Sequence, residues 1–494
     1  MKTKRFEVLS KDEIRRIHEG SLTVLERKGV KVEAQDLRDL FRGRGARVDD
    51  AEQVVRIPRE IVLWAIEQAP SKFLLYGHDP KFRASIDTKA SLFAGLGTPT
   101  NMLDKEGNFT PTTLEDLRKH LILIDELEHL TNDQMDLWPN DIPMTTIHVE
   151  AIRLWAREAR KPFGCGTLGY LACKDMVDMV AMALGGMGEL MKRPRLVGIC
   201  SIVSPLKIDT AQGHGMKVYV EHNQPIIVAP EAMAGTTAPV TLAGLLVQQN
   251  AEILAHITLA QIIKPGAPVL WGTVSTVADM HSGNVALGSF ETGLITAGSA
   301  QLARLYKIPS RGVGGSTDSK TLDIQCGFER VMNLYMAYAA GINYITCAGT
   351  LERTVSGSHE LMVLDNEIIG MLKRVARGIE VSDETLAVDL ICNLGWNENY
   401  MDQMHTAQHF RSELFLSNLI DHDSRDAWAS AGSRTTLDRC AERVKQIVEN
   451  HQPNKLSSAL EMDMQKFIDE VAARPIEEFY KYEGLAEAPS QVPI

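Results

Sequence analysis

The chain is short of most features that assign a function at sight. Its seven cysteines (Cys165, Cys173, Cys200, Cys326, Cys347, Cys392 and Cys440) include no CxxC pair. An odd, scattered set excludes a disulfide framework and fits a reducing compartment. No apolar run approaches the ~18 residues that suggest a membrane span. The opening MKTKRFEVLSKDEIRRIHEG has no apolar core of a secretory signal, so a cytoplasmic location is expected. Basic blocks are missing too: the net charge is −12 and Lys and Arg are dispersed, which argues against a nucleic-acid partner. There is no P-loop, HExxH or GxSxG, so nucleoside triphosphates, zincin chemistry and the nucleophile elbow all lack support. His405 and His409 stand four apart on one helical face, but no third ligand accompanies them, and no metal site is assigned. Aromatic residues make up only 6% of the chain, so rings available to a ligand are scarce.

What the chain does have is rhythm. From residue 91, short apolar runs end in small or turn residues, and each is followed by a helix pattern. The runs are 91–97, 132–139, 162–169, 196–205, 225–230, 267–274, 309–316 and 343–349, with helices expected between and after them. Eight strand–helix repeats predict an α/β fold, a (β/α)8 TIM barrel over 91–379. An N-terminal α/β extension (1–90) and a C-terminal helical cap and tail (380–494) flank it.

Barrel enzymes place their chemistry at the C-terminal ends of the strands. That rule selects Gly95, Gly97, Trp138, Asn140, Gly166, Thr167, Ser204, Glu231, Trp271, Thr273, Gly314, Ser316, Asp318, Gly349 and Thr350, with His359 and Glu360 opening the last helix. Glycines at these ends let a large flat ligand approach the backbone, or simply serve tight turns. An aromatic ring at a strand end, Trp271 or Phe93, suits either a bound cation or the core. Lys307 and Lys320 lie outside apolar strands, which disfavours a Schiff-base lyase.

Five blocks in order carry a resemblance. They are MAGTTAPVTLAG…QQNAE…PGAPVLWG (233–272), STVADM (275–280), GSTDSKTLDIQCGFE (315–329), ELMVLDNEIIG (360–370) and HTAQHFRSEL (405–414). Together they resemble the trimethylamine:corrinoid methyltransferase family. The run Ile345-Thr346-Cys347-Ala348-Gly349-Thr350-Leu351 is written in ordinary residues, which is similar to the non-pyrrolysine branch. That resemblance implies methyl transfer from a quaternary amine, glycine betaine first, with proline betaine, carnitine and γ-butyrobetaine behind it. The acceptor it implies is the Co(I) cobalamin (corrinoid) of a separate corrinoid protein, with no metal bound by the chain itself. It suggests Trp271 and Phe93 facing the ammonium group, and Glu231, Asp318 and Glu360 supplying negative potential. Arg311, His359 or Lys320 would anchor a carboxylate, with His359 the leading catalytic candidate. Gly95, Gly97, Gly166, Gly314 and Gly349 would accommodate the corrin. A betaine- or cobalamin-binding protein without turnover is the alternative of another class. Assembly into a homo-oligomer is left open.

Overall fold

The computed structural model describes residues 4–95, 97–132 and 137–483. Its centre is a parallel sheet of seven strands: β1 (Leu92–Phe93), β2 (Phe163–Gly166), β3 (Leu196–Ile202), β4 (Ile226–Pro230), β5 (Val269–Gly272), β6 (Ser310–Val313) and β7 (Tyr344–Thr346). The spatial order is β1-β7-β6-β5-β4-β3-β2. Ala94, beyond β1, bridges Asn132 in parallel and marks an eighth position. The expected strand at 132–139 lies partly outside the described residues. Among the described residues the expected closed eight-stranded barrel is not shown; what is seen is a curled parallel sheet of seven paired strands with one bridge beyond it.

Helices follow the strands as the rhythm predicts: α1 (Leu114–Glu126), α2 (Ile147–Glu158), α3 (Tyr170–Ala183), α4 (Thr210–Glu221), α5 (Leu242–Ile263), α6 (Phe290–Tyr306), α7 (Ile324–Ala340) and α8 (His359–Arg377). Several starts are capped as their residues dictate. The side chains of Thr113, Asp209, Ser289 and Asp323 each accept a first-turn N–H. Helix α5 is apolar nearly all round, because the N-terminal helices Lys11–Arg27 and Arg59–Gln68 cover the side that the strands do not.

Register fixes which side chains point inward. Ile199, Ile227 and Leu270 pair across β3, β4 and β5, and Arg311, Tyr344 and Leu92 pair across β6, β7 and β1. Side chains paired in register share a face. Val197, Ile227, Ala229, Leu270 and Tyr344 form one apolar cluster with Leu75 and Ile86. Leu75 and Ile86 belong to the antiparallel hairpin Lys72–Tyr76 and Arg83–Asp87. The Tyr76 N–H donates to the Pro194 carbonyl, just before β3, so this hairpin plugs the N-terminal end of the sheet. The hairpin thus closes the floor of the interior, opposite the C-terminal strand ends.

The C-terminal region is of two kinds. Helices α9 (Thr436–Asn450), α10 (Ser458–Ala472) and α11 (Ile476–Glu483) pack on α8, α3 and their neighbours, as a cap should. Residues 377–418, by contrast, contain no buried residue.

Candidate functional site at the strand ends

The alternation that aims Ile227 and Ala229 inward carries on to Glu231, immediately after β4. Its side chain is open to solvent and yet ringed by protein. Both hold at once for a group standing in an open-topped chamber. Among the described residues it accepts no hydrogen bond and forms no ion pair within 4.0 Å. Burial raises its carboxyl above the usual range, against the pull of Arg311. Arg311 points inward from β6 and is 4% exposed. Nη1 donates to the Thr273 carbonyl (3.0 Å) and Nη2 to Thr346 Oγ1 (2.6 Å), while Nε has no partner. Two opposite charges thus share one chamber without pairing, and Arg311 keeps a free donor.

The loops around this mouth are laced together. Glu352 and Arg353 donate backbone N–H bonds to the carbonyls of Ser319 and Thr317, both 2.9 Å. Glu352, Arg353 and Thr354 stand consecutively in the left-handed region (φ 49, 60 and 75°), and Cys347 has φ 78°. Non-glycine residues hold such backbone only where their surroundings impose it. Beneath them Arg330 Nη1 meets Asp365 at 2.6 Å, both side chains fully buried. Arg330 also donates to the carbonyls of Gly315 and Thr350, and Asp365 accepts from the Gly349 N–H at 2.6 Å. Burial pushes the Asp365 carboxyl up to about 6, although Arg330 pulls it down.

Several expected site residues lie elsewhere. Trp271 pairs in register with Val228 and faces outward, wholly buried, its indole donating to Asn250 Oδ1 on α5 (3.2 Å). Phe93 also faces outward, 5.5 Å from the Tyr338 ring. Neither reaches the chamber, so the expected aromatic cation cage is corrected. Strand parity puts both rings in the sheet–helix core.

His359 and Glu360 open α8 but line a separate cavity of about 490 Å³ with Asp104, Asp116, Lys119 and Val444. Burial and the neighbouring His120 drop the His359 imidazole to about 4, so it is neutral at pH 7. Burial raises the Glu360 carboxyl, which accepts from Ser358 Oγ at 2.9 Å. The structure does not bring either residue to Glu231 and Arg311.

Asp318 turns to the backbone of Leu287 and Gly288 at the start of α6, and burial raises its carboxyl. Lys320 is exposed, its Nζ on the Asp318 carbonyl at 2.8 Å. The glycines serve packing and turns rather than a cradle for a macrocycle. A Cβ would lie 2.5 Å from Ile124 at Gly95, 2.6 Å from Thr354 at Gly97, 3.1 Å from Leu168 at Gly166 and 2.5 Å from Ile345 at Gly314. Gly349 takes φ 83° to present its N–H to Asp365. His405 and His409 stand with ring centroids 4.4 Å apart and planes tilted by 44°, and the described residues hold no group of three metal-ligating side chains.

Sequence reasoning missed Arg330, Asp365, Glu329 and Glu252. A signal existed for the first two: each is a charge on the core stripe of its helix, Arg330 among Cys326, Leu334 and Ala337, and Asp365 among Leu361, Ile368 and Leu372. Glu329 accepts from Thr317 Oγ1 (2.6 Å) and the Asp318 N–H (2.9 Å) and shapes the β6 loop. Glu252, on α5, accepts from Ser204 Oγ and the Leu206 N–H, both 2.8 Å, and burial raises it to about 7.

A parallel α/β sheet that carries Glu231 and Arg311 at the C-terminal ends of its strands has the layout of an enzyme. The chain belongs to the trimethylamine methyltransferase (MTTB) family, whose model matches residues 1–474, and it is a methyltransferase. It is 33% identical over 468 residues to a glycine betaine methyltransferase of Desulfitobacterium hafniense (strain Y51), covering 94% of this chain and 97% of that one. To the trimethylamine methyltransferase MttB of Desulfitobacterium hafniense (strain DSM 10664 / DCB-2) it is 34% identical, covering 93% of each. Among solved structures, the Methanosarcina barkeri monomethylamine methyltransferase (MtmB) aligns with a TM-score of 0.45 and 12% identity, covering 90% of this chain and 96% of that one. No described helix is long and apolar enough to cross a membrane.

Proposed function

We propose that this methyltransferase takes a methyl group from a quaternary amine that carries a carboxylate, glycine betaine first, and passes it to the Co(I) corrinoid of a separate corrinoid protein. The observation that carries the reading is the unpaired Glu231 and Arg311 in one protein-walled chamber. A zwitterion satisfies both charges together, and neither a neutral amine nor a simple cation does. The corrinoid acts as the second substrate and supplies the electron pair for the new methyl bond.

The chain's own part is positional. Arg311 holds the carboxylate through its free donor, and its fixed bonds to Thr273 and Thr346 set the angle. Glu231 draws the ammonium toward the β4 side. The plugged floor excludes water from behind and leaves the mouth as the direction of attack. As the C–N bond breaks, its electrons return to nitrogen. The product is a neutral tertiary amine, and no proton has to be delivered. The ordinary residues after β7 are sufficient for that leaving group.

This chemistry fixes the sign of one substitution. Positive charge on nitrogen falls toward the transition state, so Glu231 favours the bound substrate over the transition state. Glu231→Gln is expected to raise KM for glycine betaine while kcat holds or rises. A carboxylate ~4 Å from a cation gains ~1 kcal/mol in water and ~4 at an effective dielectric of 20. The open chamber lies toward the lower end, so a ~5–30-fold rise in KM is expected. The assay follows loss of Co(I) cobalamin absorbance with glycine betaine, proline betaine, carnitine, γ-butyrobetaine, choline and trimethylamine. A kcat collapse with constant KM in Glu231→Gln, or choline turning over as well as betaine, would overturn the assignment.

A further inference from the structure

The chamber has one wall without side chains. Round the sheet from Arg311 on β6, Glu231 comes two strands on, after β4, and the next inner faces belong to β3 and β2. On β2 the register pairs Gly164 with Val197 and Gly166 with Ile199, and both partners face inward. Side chains paired in register share a face, so β2 brings two glycines and no side chain to the interior. What covers Gly166 arrives from two residues further along. The half-buried Leu168 stands with Cδ2 3.1 Å and Cγ 3.7 Å from the point a Cβ on Gly166 would take. Among the described residues, the chain neighbours of Gly166 aside, nothing else comes within 4 Å of that point.

Leu168 also lines a cavity of about 290 Å³, which it shares with Trp138, Met144 and Ile147 and with Phe479 and Tyr480 of α11. Among the described residues no acidic side chain lines it. Its polar groups are largely spent on their neighbours. His148 bonds Asp175 at 3.2 Å, a carboxylate that Arg474 also holds, and Thr167 Oγ1 donates to Gln212 Oε1. An aromatic-lined space of this kind takes apolar atoms. With no carboxylate there to hold an ammonium group, the charge stays with Glu231. One aliphatic side chain thus touches both the charged chamber and the apolar cavity.

We propose that Leu168 is a specificity-determining residue. It holds the chamber to donors whose nitrogen carries nothing larger than methyl on the β2 side, and the cavity beyond it receives the apolar N-substituent of a larger betaine once that side chain is shortened. The inference rests on the proposed seating of the carboxylate at Arg311 and the ammonium at Glu231. With those ends fixed, a longer link between the charges lies between β6 and β4. A larger group on nitrogen points on toward β3 and β2 and meets Leu168.

The probe is N-benzyl-N,N-dimethylglycine, which keeps the carboxylate spacing of glycine betaine and replaces one methyl. Isothermal titration calorimetry on the full chain, without corrinoid, compares the two ligands in wild type, Leu168→Ala and Leu168→Val. Wild type is expected to bind glycine betaine and to disfavour the benzyl analogue ~10-fold or more, the scale on which an apolar pocket reads single carbon groups. Leu168→Ala is expected to keep its affinity for glycine betaine and to tighten on the benzyl analogue ~10-fold or more, with Leu168→Val in between. γ-Butyrobetaine, longer between its charges, is expected to gain nothing. A general loss of structure does not tighten binding of one ligand alone. Equal binding of both ligands by wild type, a ratio unchanged in both variants, or γ-butyrobetaine gaining as much as the benzyl analogue would overturn the proposal while the charge-pair reading stands. A wild-type chain that binds no betaine would sink that reading, and this inference with it.

Discussion

Arg330→Met tests whether the buried ion pair holds the mouth together. Arg330 and Asp365 are both fully buried, 2.6 Å apart, and Arg330 also serves the carbonyls of Gly315 and Thr350. Methionine removes the cation and leaves those two carbonyls and the Asp365 carboxylate short of donors. Breaking a buried pair from one side costs ~3–5 kcal/mol while the remaining group stays charged. It need not stay charged. The Asp365 carboxyl already stands at about 6 with Arg330 present, and without it rises further. A carboxyl raised in the folded state contributes stability that is present in full below its unfolded value near 3.8 and is lost as pH climbs through the folded value. At pH 5 both proteins therefore hold Asp365 mostly neutral, and the deficit is mainly that of the orphaned carbonyls, ~1–3 kcal/mol. By pH 8 it grows to ~3–5 kcal/mol. With ~2.1 cal/mol/K per residue over 494 residues, unfolding entropy is ~1 kcal/mol/K, so ~3–5 °C in Tm at pH 8. Differential scanning calorimetry of wild type and variant at pH 5 and 8 reads this directly, other titrating groups cancelling in the difference. Arg330→Met with Asp365→Leu should recover most of the loss. An identical Tm deficit at both pH values would show that no ionic component holds these loops.

Glu252→Gln should flatten the pH dependence of stability. Its carboxyl is raised from 4.5 to about 7, so its stabilising contribution is complete below pH 4.5 and disappears as pH rises through 7, ~3 kcal/mol in all; urea unfolding at pH 5 and 8 that shows a constant gap between the two proteins sinks this reading. Trp271→Ala should cost ~3–5 kcal/mol of stability as a core cavity, with KM for betaine unchanged in the folded fraction; a selective KM rise at constant Tm would return the indole to the chamber. His359→Ala should leave Co(I) cobalamin methylation near the wild-type rate, because the imidazole lines a different cavity; a loss of orders of magnitude would move the chemistry to the start of α8.

The alternation of strands and helices was legible without coordinates because period-2 and period-3.6 patterns are local. The strand-end rule selected Glu231 and the carboxylate anchor implied by the resemblance included Arg311, and the proposed function rests on both. The aim of each side chain was not local. A buried parallel strand is apolar on both faces, so Val269-Leu270-Trp271-Gly272 reads the same whichever way it turns. Pairing of Trp271 with Val228 and Ser310 turned the indole outward, and pairing of Arg311 with Tyr344 turned the guanidinium in. The charges of Arg330 and Asp365 stood on apolar stripes in the sequence, but only packing brought together two residues 35 positions apart. By itself the chain determined its elements and their order, because those follow from near neighbours. Parity, the meeting of distant charges and the lack of burial over 377–418 were decided by the tertiary structure, because they depend on which backbone lies alongside which.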